Sequence, residues 1–137
     1  MGKKVTLGLI GLGGRGIGLL KTVFLHHEDV EFAAVCDVYE DRCQEAAELI
    51  EKSGRPRPQT TLDYKEILKM DAVDAVILCT SWENHLNLAI EFMEAGKYVG
   101  CEVGGAYTVQ ECWKIVDAYE RTHVPVMLLE NCVYGRD

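Results

Sequence analysis

Apolar residues follow two alternating rhythms along this chain. Short, nearly continuous apolar runs predict buried strands, and each is followed by a stretch in which apolar positions recur every three or four residues, the period of a half-buried helix. The first run, about Lys4–Ile10, precedes a helix predicted over about Arg15–His27, with His26 and His27 as a solvated pair at its end. A second strand covers about Glu31–Cys36. The helix after it, Glu40–Lys52, carries Cys43, Ala46, Ala47 and Ile50 on one face, and Gly54 is suited to end it. Pro56 and Pro58 mark the segment 53–59 as a loop.

The second half repeats the alternation. Thr60–Leu62 predicts a short strand, and Asp63 with Glu66 predicts a capped short helix. Ala75–Cys79 is a continuous apolar run, as a parallel strand covered on both faces requires. A helix over about Asn84–Ala95 sets Leu86, Ala89, Ile90 and Met93 on one face and stops at Gly96. Tyr98–Cys101 is the next strand. Thr108 and Glu111 form a capping box for a helix with Cys112, Ile115, Val116 and Tyr119 on one face, and Val126–Leu129 is the last strand. This succession predicts one α/β domain, a doubly wound parallel sheet (Rossmann fold) with strand order 3-2-1-4-5-6. The carboxyl ends of the strands then line one edge, which collects Gly11, Asp37, Thr80, Ser81, Glu102, Glu130 and Asn131.

The first strand runs directly into Gly11-Leu12-Gly13-Gly14-Arg15-Gly16. This is G-x-G-x-x-G between a strand and a helix, the fingerprint of a dinucleotide site. Gly11 permits the sharp turn, Gly13 lets a pyrophosphate approach the backbone, and Gly16 lets the helix pack close to the sheet. The helix start offers unpaired amides and a positive dipole end to phosphate. Asp37 ends the second strand about 20 residues further on, where a carboxylate accepts the adenosine ribose hydroxyls. Its charge opposes a 2′-phosphate, so NAD is expected over NADP. Arg42 leaves NADP open, because it could rest on the adenine or meet a 2′-phosphate.

The chain is acidic, with 22 Asp and Glu against 14 Lys and Arg, the wrong sign for a phosphate-backbone partner, so no nucleic acid is expected. No apolar run approaches the roughly 20 residues of a membrane span, and no signal segment is expected ahead of the first strand. None of the six cysteines forms a C-x-x-C pair. They read as small hydrophobes in a reducing cytoplasm, with no metal site.

Thr80-Ser81-Trp82-Glu83-Asn84-His85, Ala95-Gly96-Lys97-Tyr98-Val99 and Cys101-Glu102 resemble the Gfo/Idh/MocA family of NAD(P)-dependent oxidoreductases, which act mostly on sugars and polyols. The resemblance covers essentially the whole chain, as that family's N-terminal cofactor domain. Ser81 replaces the proline of the family's Thr-Pro-x-x-x-His pattern. Members with simple dehydrogenase activity usually carry Glu-Lys-Pro after the fifth strand, whereas this chain has Glu102-Val103-Gly104-Gly105. Glu102-Val103, Trp82 to His85, Glu111-Cys112-Trp113 and Leu129 to Cys132 are similar to the branch with glycoside hydrolase family 109, the NAD-dependent α-N-acetylgalactosaminidases.

The resemblance implies that Arg15, the run from Trp82 to His85, Glu102, Val103 and Asn131 line the NAD site beside Thr80 and Ser81. Local readings stand next to it: Trp82 as a loop anchor, His85 as a capped surface residue, and Glu102 as an acceptor for backbone amides. Tyr134 is a candidate for catalysis or for interdomain packing. In the glycosidase branch the implied chemistry is oxidation at sugar C3, elimination, addition of water and return of the hydride. The alternatives are a plain sugar or polyol dehydrogenase and an NAD-responsive binding module. The resemblance further implies an α+β substrate domain beyond this chain. That domain would bring most of the catalytic groups and a homo-oligomer interface, leaving the present chain able to bind NAD without turnover.

Overall fold

The computed structural model describes residues 4–134. Strands and helices alternate as β1 (Val5–Ile10), α1 (Gly14–Thr22), β2 (Val30–Cys36), α2 (Glu40–Lys52), β3 (Gln59–Thr61), α3 (Tyr64–Leu68), β4 (Ala75–Leu78), α4 (Trp82–Glu94), β5 (Tyr98–Cys101), α5 (Val109–Thr122), β6 (Val126–Leu128) and α6 (Asn131–Tyr134). All the strand pairs are parallel, in the order β3-β2-β1-β4-β5-β6. The strand order is the one expected from the right-handed crossover rule.

Each face of the sheet carries its own core. Leu7 and Leu9 of β1 meet Ile17 and Leu20 of α1 and Ala46, Ala47 and Ile50 of α2. Ile10, Val76 and Leu78 meet Leu88, Phe92 and Met93 of α4 on the other face. The β1–β2 register slips at Leu7/Gly8, so Leu7 pairs with Phe32 and Gly8 with Ala34. This bulge reverses the alternation of β2. Phe32 and Val35 consequently share one face, while Ala34 and Cys36 share the other.

Several boundaries differ from the sequence pattern for local reasons. The first helix stops at Thr22, and Phe24–His26 form a separate 3₁₀ turn. Thr22 turns its hydroxyl back to the Gly18 carbonyl at 2.8 Å, and Val23 leaves helical geometry. The turn lets Phe24 and Leu25 pack on the α1–α2 core. Helix α4 begins at Trp82, with Ser81 as its cap residue, rather than at Asn84.

The capping box of α5 is present, with Glu111 N donating to Thr108 Oγ1 and Thr108 N to Glu111 Oε2. The face expected to be buried is not. Ala118 is the fully buried residue and Ile115 packs beside it, while Cys112, Val116 and Tyr119 are exposed together with Val109 and Trp113. Helix α5 leans on α4 at the margin of the sheet, with the Ile115–Ala118 stripe packed on the core and Arg121 paired with Glu94.

The Ala95-Gly96-Lys97 segment ends α4 in a Schellman motif. Gly96 takes a left-handed conformation, its N–H donates to Met93 O, and Lys97 N–H donates to Phe92 O. The buried Lys97 ammonium then donates to the carbonyls of Met70 and Val73 at 2.6 and 3.1 Å. It ties the turn before β4 to the turn before β5. Lys97→Met keeps the volume and removes the donors, so we expect a loss of about 1–3 kcal/mol in urea denaturation, with the fold retained.

Candidate functional site

A cleft of about 570 Å³ opens where β1, β2 and β4 end. Gly11, Gly13, Asp37, Arg42, Thr80 and Ser81 line it, as the sequence expects. The close approaches are built by Gly11 and Gly16. A Cβ on Gly16 would lie 1.9 Å from the Gly11 carbonyl oxygen, and one on Gly11 would lie 2.5 Å from the carbonyl of Cys79. Gly13 differs from both. The nearest atom to a Cβ there is Arg42 Nη1 at 3.7 Å, and nothing lies within 4 Å of one on Gly14. The loop is therefore packed from below and open above, at the amino end of α1. That is the shape a pyrophosphate needs, and the residues fit a dinucleotide.

Asp37 borders the open space and is buried. Its Oδ2 accepts from Leu12 N at 2.6 Å and its Oδ1 from Tyr39 N at 3.1 Å. The acid thus ties the glycine loop to the end of β2, a role the fingerprint does not announce. Arg42 stacks on the Tyr39 ring, 4.5 Å from its centroid, with Nη1 3.7 Å from Asp37 Oδ1.

A second group gathers at the ends of β4 and β5. Arg15 Nη2 donates to Glu102 Oε1 at 2.8 Å, and this bond raises the guanidinium above its ordinary pKa. Burial pushes the Cys79 thiol beneath them up to about 12, with the Glu102 charge adding to it, so this sulfur stays protonated at neutral pH. Trp82 is half exposed, and its indole lies against the backbone of Gly104. A Cβ on Gly104, at φ +103, would sit 2.3 Å from the Trp82 Cγ. The backbone at Gly104 is therefore packed against the indole, the contact that a loop-anchor role for Trp82 requires.

His85 is not on the surface. It is 1% exposed, and neither ring nitrogen has a hydrogen-bond partner among the described residues. Backbone groups of Thr80 and Glu102 face the ring outside good hydrogen-bond geometry, and burial holds the imidazole below its ordinary value of 6.5. Glu102 is an acceptor for the Arg15 side chain before it is one for amides, its bond from Val103 N being 3.4 Å. Val103 and Asn131 are exposed at the same edge. Tyr134 closes α6, and its side chain lies outside the described residues.

The cleft takes in Asn84 of the Trp82–His85 motif, and also Val38, Leu62, Tyr64, Asn87, Leu88 and Glu91, which the motif reading did not supply. Asn84, Asn87, Leu88 and Glu91 recur at helical spacing from Ser81, a signal available in the sequence. Leu62 and Tyr64 arrive through the β3–α3 turn, which no local pattern places at the cleft.

Comparison with known proteins bears on the same residues. A family model described as an oxidoreductase family with an NAD-binding Rossmann fold matches residues 5–129. A glycosyl hydrolase family 109 protein of Shewanella sp. (strain ANA-3) and an alpha-N-acetylgalactosaminidase of Shewanella oneidensis are each 43% identical over 137 residues. Each match covers 97% of this chain and 30% of the relative, so the chain spans about a third of their length. Among solved structures, GenD2 from gentamicin A biosynthesis, in complex with NAD, superposes with a TM-score of 0.82 at 20% identity, over 93% of this chain and 35% of that one. The likeness shows a shared fold.

The contrast between the glycines is open to test. Gly16→Ala should cost at least about 1–3 kcal/mol by overpacking, whereas Gly13→Ala should cost no more than about 1 kcal/mol as a cap change. Chemical denaturation of the two variants separates them. His85 sets a pH dependence. Its folded pKa is depressed, so above 6.5 both states are neutral and the contribution is fully present. As pH falls below 6.5 the unfolded chain takes up a proton that the folded chain refuses, and stability drops. Urea midpoints measured on both sides of pH 6.5 should show this drop, and His85→Leu should reduce it.

Proposed function

The chain belongs to the Gfo/Idh/MocA oxidoreductase family with its NAD-binding Rossmann fold, and from that premise we propose that it holds the cofactor in an enzyme acting on a sugar or glycoside. The observation that carries the cofactor part is the glycine loop, closed below by Gly16 on Gly11, open above Gly13 and tied to Asp37. The first amides of α1 lack intrahelical acceptors and are free to face an anion. Asp37 keeps lone pairs for a ribose hydroxyl beyond the two it gives to Leu12 and Tyr39, and its charge repels a 2′-phosphate.

The finer reading is oxidation–elimination at a glycoside, supported by the relatives' names and by Val103 after Glu102. When bound, NAD supplies reversible oxidation at a sugar carbon, which acidifies the neighbouring C–H and lets a leaving group depart. The chain's own part is to position. Glu102 and Arg15 brace the end of β5 against the start of α1. Trp82, backed by Gly104, offers its open face beside the reacting end. Val103 keeps an ammonium away from this point of the loop. The general base and the sugar contacts are assigned to a further domain, in keeping with the length of the relatives.

Two measurements test this reading. Asp37→Asn retains one acceptor oxygen and loses the charge, so the preference of the chain for NAD over NADP in calorimetric titration should narrow by about tenfold. An unchanged ratio would remove Asp37 from the ribose site. In the longer protein, given aryl glycosides and NAD, aglycone release without NADH build-up is the expected result. Stoichiometric NADH without bond cleavage would instead make it a plain dehydrogenase.

A further inference from the structure

We propose that the far end of the cleft reads the adenine base, with the Glu91 carboxylate accepting a hydrogen bond from the exocyclic 6-amino group. The inference rests on the placement of the adenosine ribose at Asp37 and extends it to a part of the cleft that no fingerprint residue reaches.

Asp37 fixes the order of groups along the cleft. With phosphates at Gly13 and ribose at Asp37, the base must lie further on, between the turn after β2 and the exposed face of α4. The lining there comes from α4 and from the turn between β3 and α3. At about 1.5 Å per residue, the ten residues from Ser81 to Glu91 span about 15 Å, room for an adenosine beyond its phosphates. Leu62 and Leu88 are the apolar lining of this stretch, suited to the flat faces of a purine. Tyr64, Asn87 and Glu91 add polar groups to it.

Tyr64 and Glu91 hold each other in place. The Tyr64 hydroxyl donates to Glu91, 3.0 Å from Oε2 and 3.3 Å from Oε1. The Tyr64 ring is itself set against Phe92, with centroids 6.2 Å apart and planes tilted by 59°, and Phe92 is fully buried. A core aromatic thus fixes the tyrosine, and the tyrosine fixes the carboxylate. An ionised carboxylate has about four acceptor sites and no donor, and one hydroxyl leaves most of them unused. Such a group selects a base edge that donates. At position 6 adenine presents an amino group that donates to the carboxylate, whereas hypoxanthine presents there a carbonyl oxygen that the carboxylate repels and carries its donor on N1 instead.

The probe is nicotinamide hypoxanthine dinucleotide, which differs from NAD in the base alone: a carbonyl replaces the 6-amino group, and N1 carries a hydrogen. Titrated into the chain by calorimetry, it should bind at least about tenfold more weakly than NAD. Glu91→Ala should bring the ratio of the two affinities to about one. Glu91→Gln, whose amide can turn either a donor or an acceptor to the base, should narrow the gap by admitting hypoxanthine, and it preserves the Tyr64 contact should the alanine variant fold poorly. Equal binding of both dinucleotides by the unaltered chain would overturn the inference, as would a preference that survives in both variants. If neither dinucleotide bound the unaltered chain, the cofactor reading would fall first and take this inference with it.

Discussion

The approach of α1 to the end of β1 is the contact on which the rest is built. No side chain fits between Gly16 and the Gly11 carbonyl, so the helix begins against the strand it follows. From that starting point Ile17 and Leu20 reach the sheet and complete the core shared with α2. The same approach directs Arg15 across to Glu102 at the end of β5, linking the first crossover to the last third of the sheet. It also explains why the loop between them can stay open: its packing comes from below, and nothing is needed above Gly13.

Around that contact the site divides into two regions of different character. On the β2 side, the polar groups are already engaged with one another: Asp37 with Leu12 and Tyr39, Arg42 with the Tyr39 ring. These contacts pre-organise the groups and lower the cost of ordering them when a ligand arrives. On the β5 side, shape does more than hydrogen bonding. Trp82 lies on a glycine backbone, and His85 is shut in with no partner for either nitrogen. Burial keeps that imidazole neutral, so it contributes volume and polarity close to Glu102 without adding a positive charge.

The fold was legible because its signals are local and repeated. Val5 to Ile10 before the glycines, the Cys43–Ala46–Ala47–Ile50 stripe and the Thr108–Glu111 box each specify a piece, and the crossover rule arranges the pieces. Where local pattern failed, a tertiary fact decided. Apolar spacing misplaces the buried face of α5 because it does not say whether a neighbour exists to cover it. Periodicity overextends the first helix because it carries no sign of the Thr22 hydroxyl bond or the packing of Phe24. Of the site, the fingerprint residues were readable from spacing. The Gly104–Trp82 contact was not, since it joins two loops through a backbone angle. Tyr64 reaches the cleft only because β3 pairs with β2.

The double engagement of Asp37 bears on how such a domain changes over evolutionary time. The residue proposed to favour one cofactor also closes the glycine loop through the Leu12 amide. On that proposal, a lineage drifting toward the phosphorylated cofactor by losing this acid would loosen the loop in the same step. The easier path would run through the Tyr39 and Arg42 side chains, which flank Asp37 without carrying its bond to Leu12. The rim of this site would then be free to vary while the central carboxylate is held in place by folding as much as by chemistry.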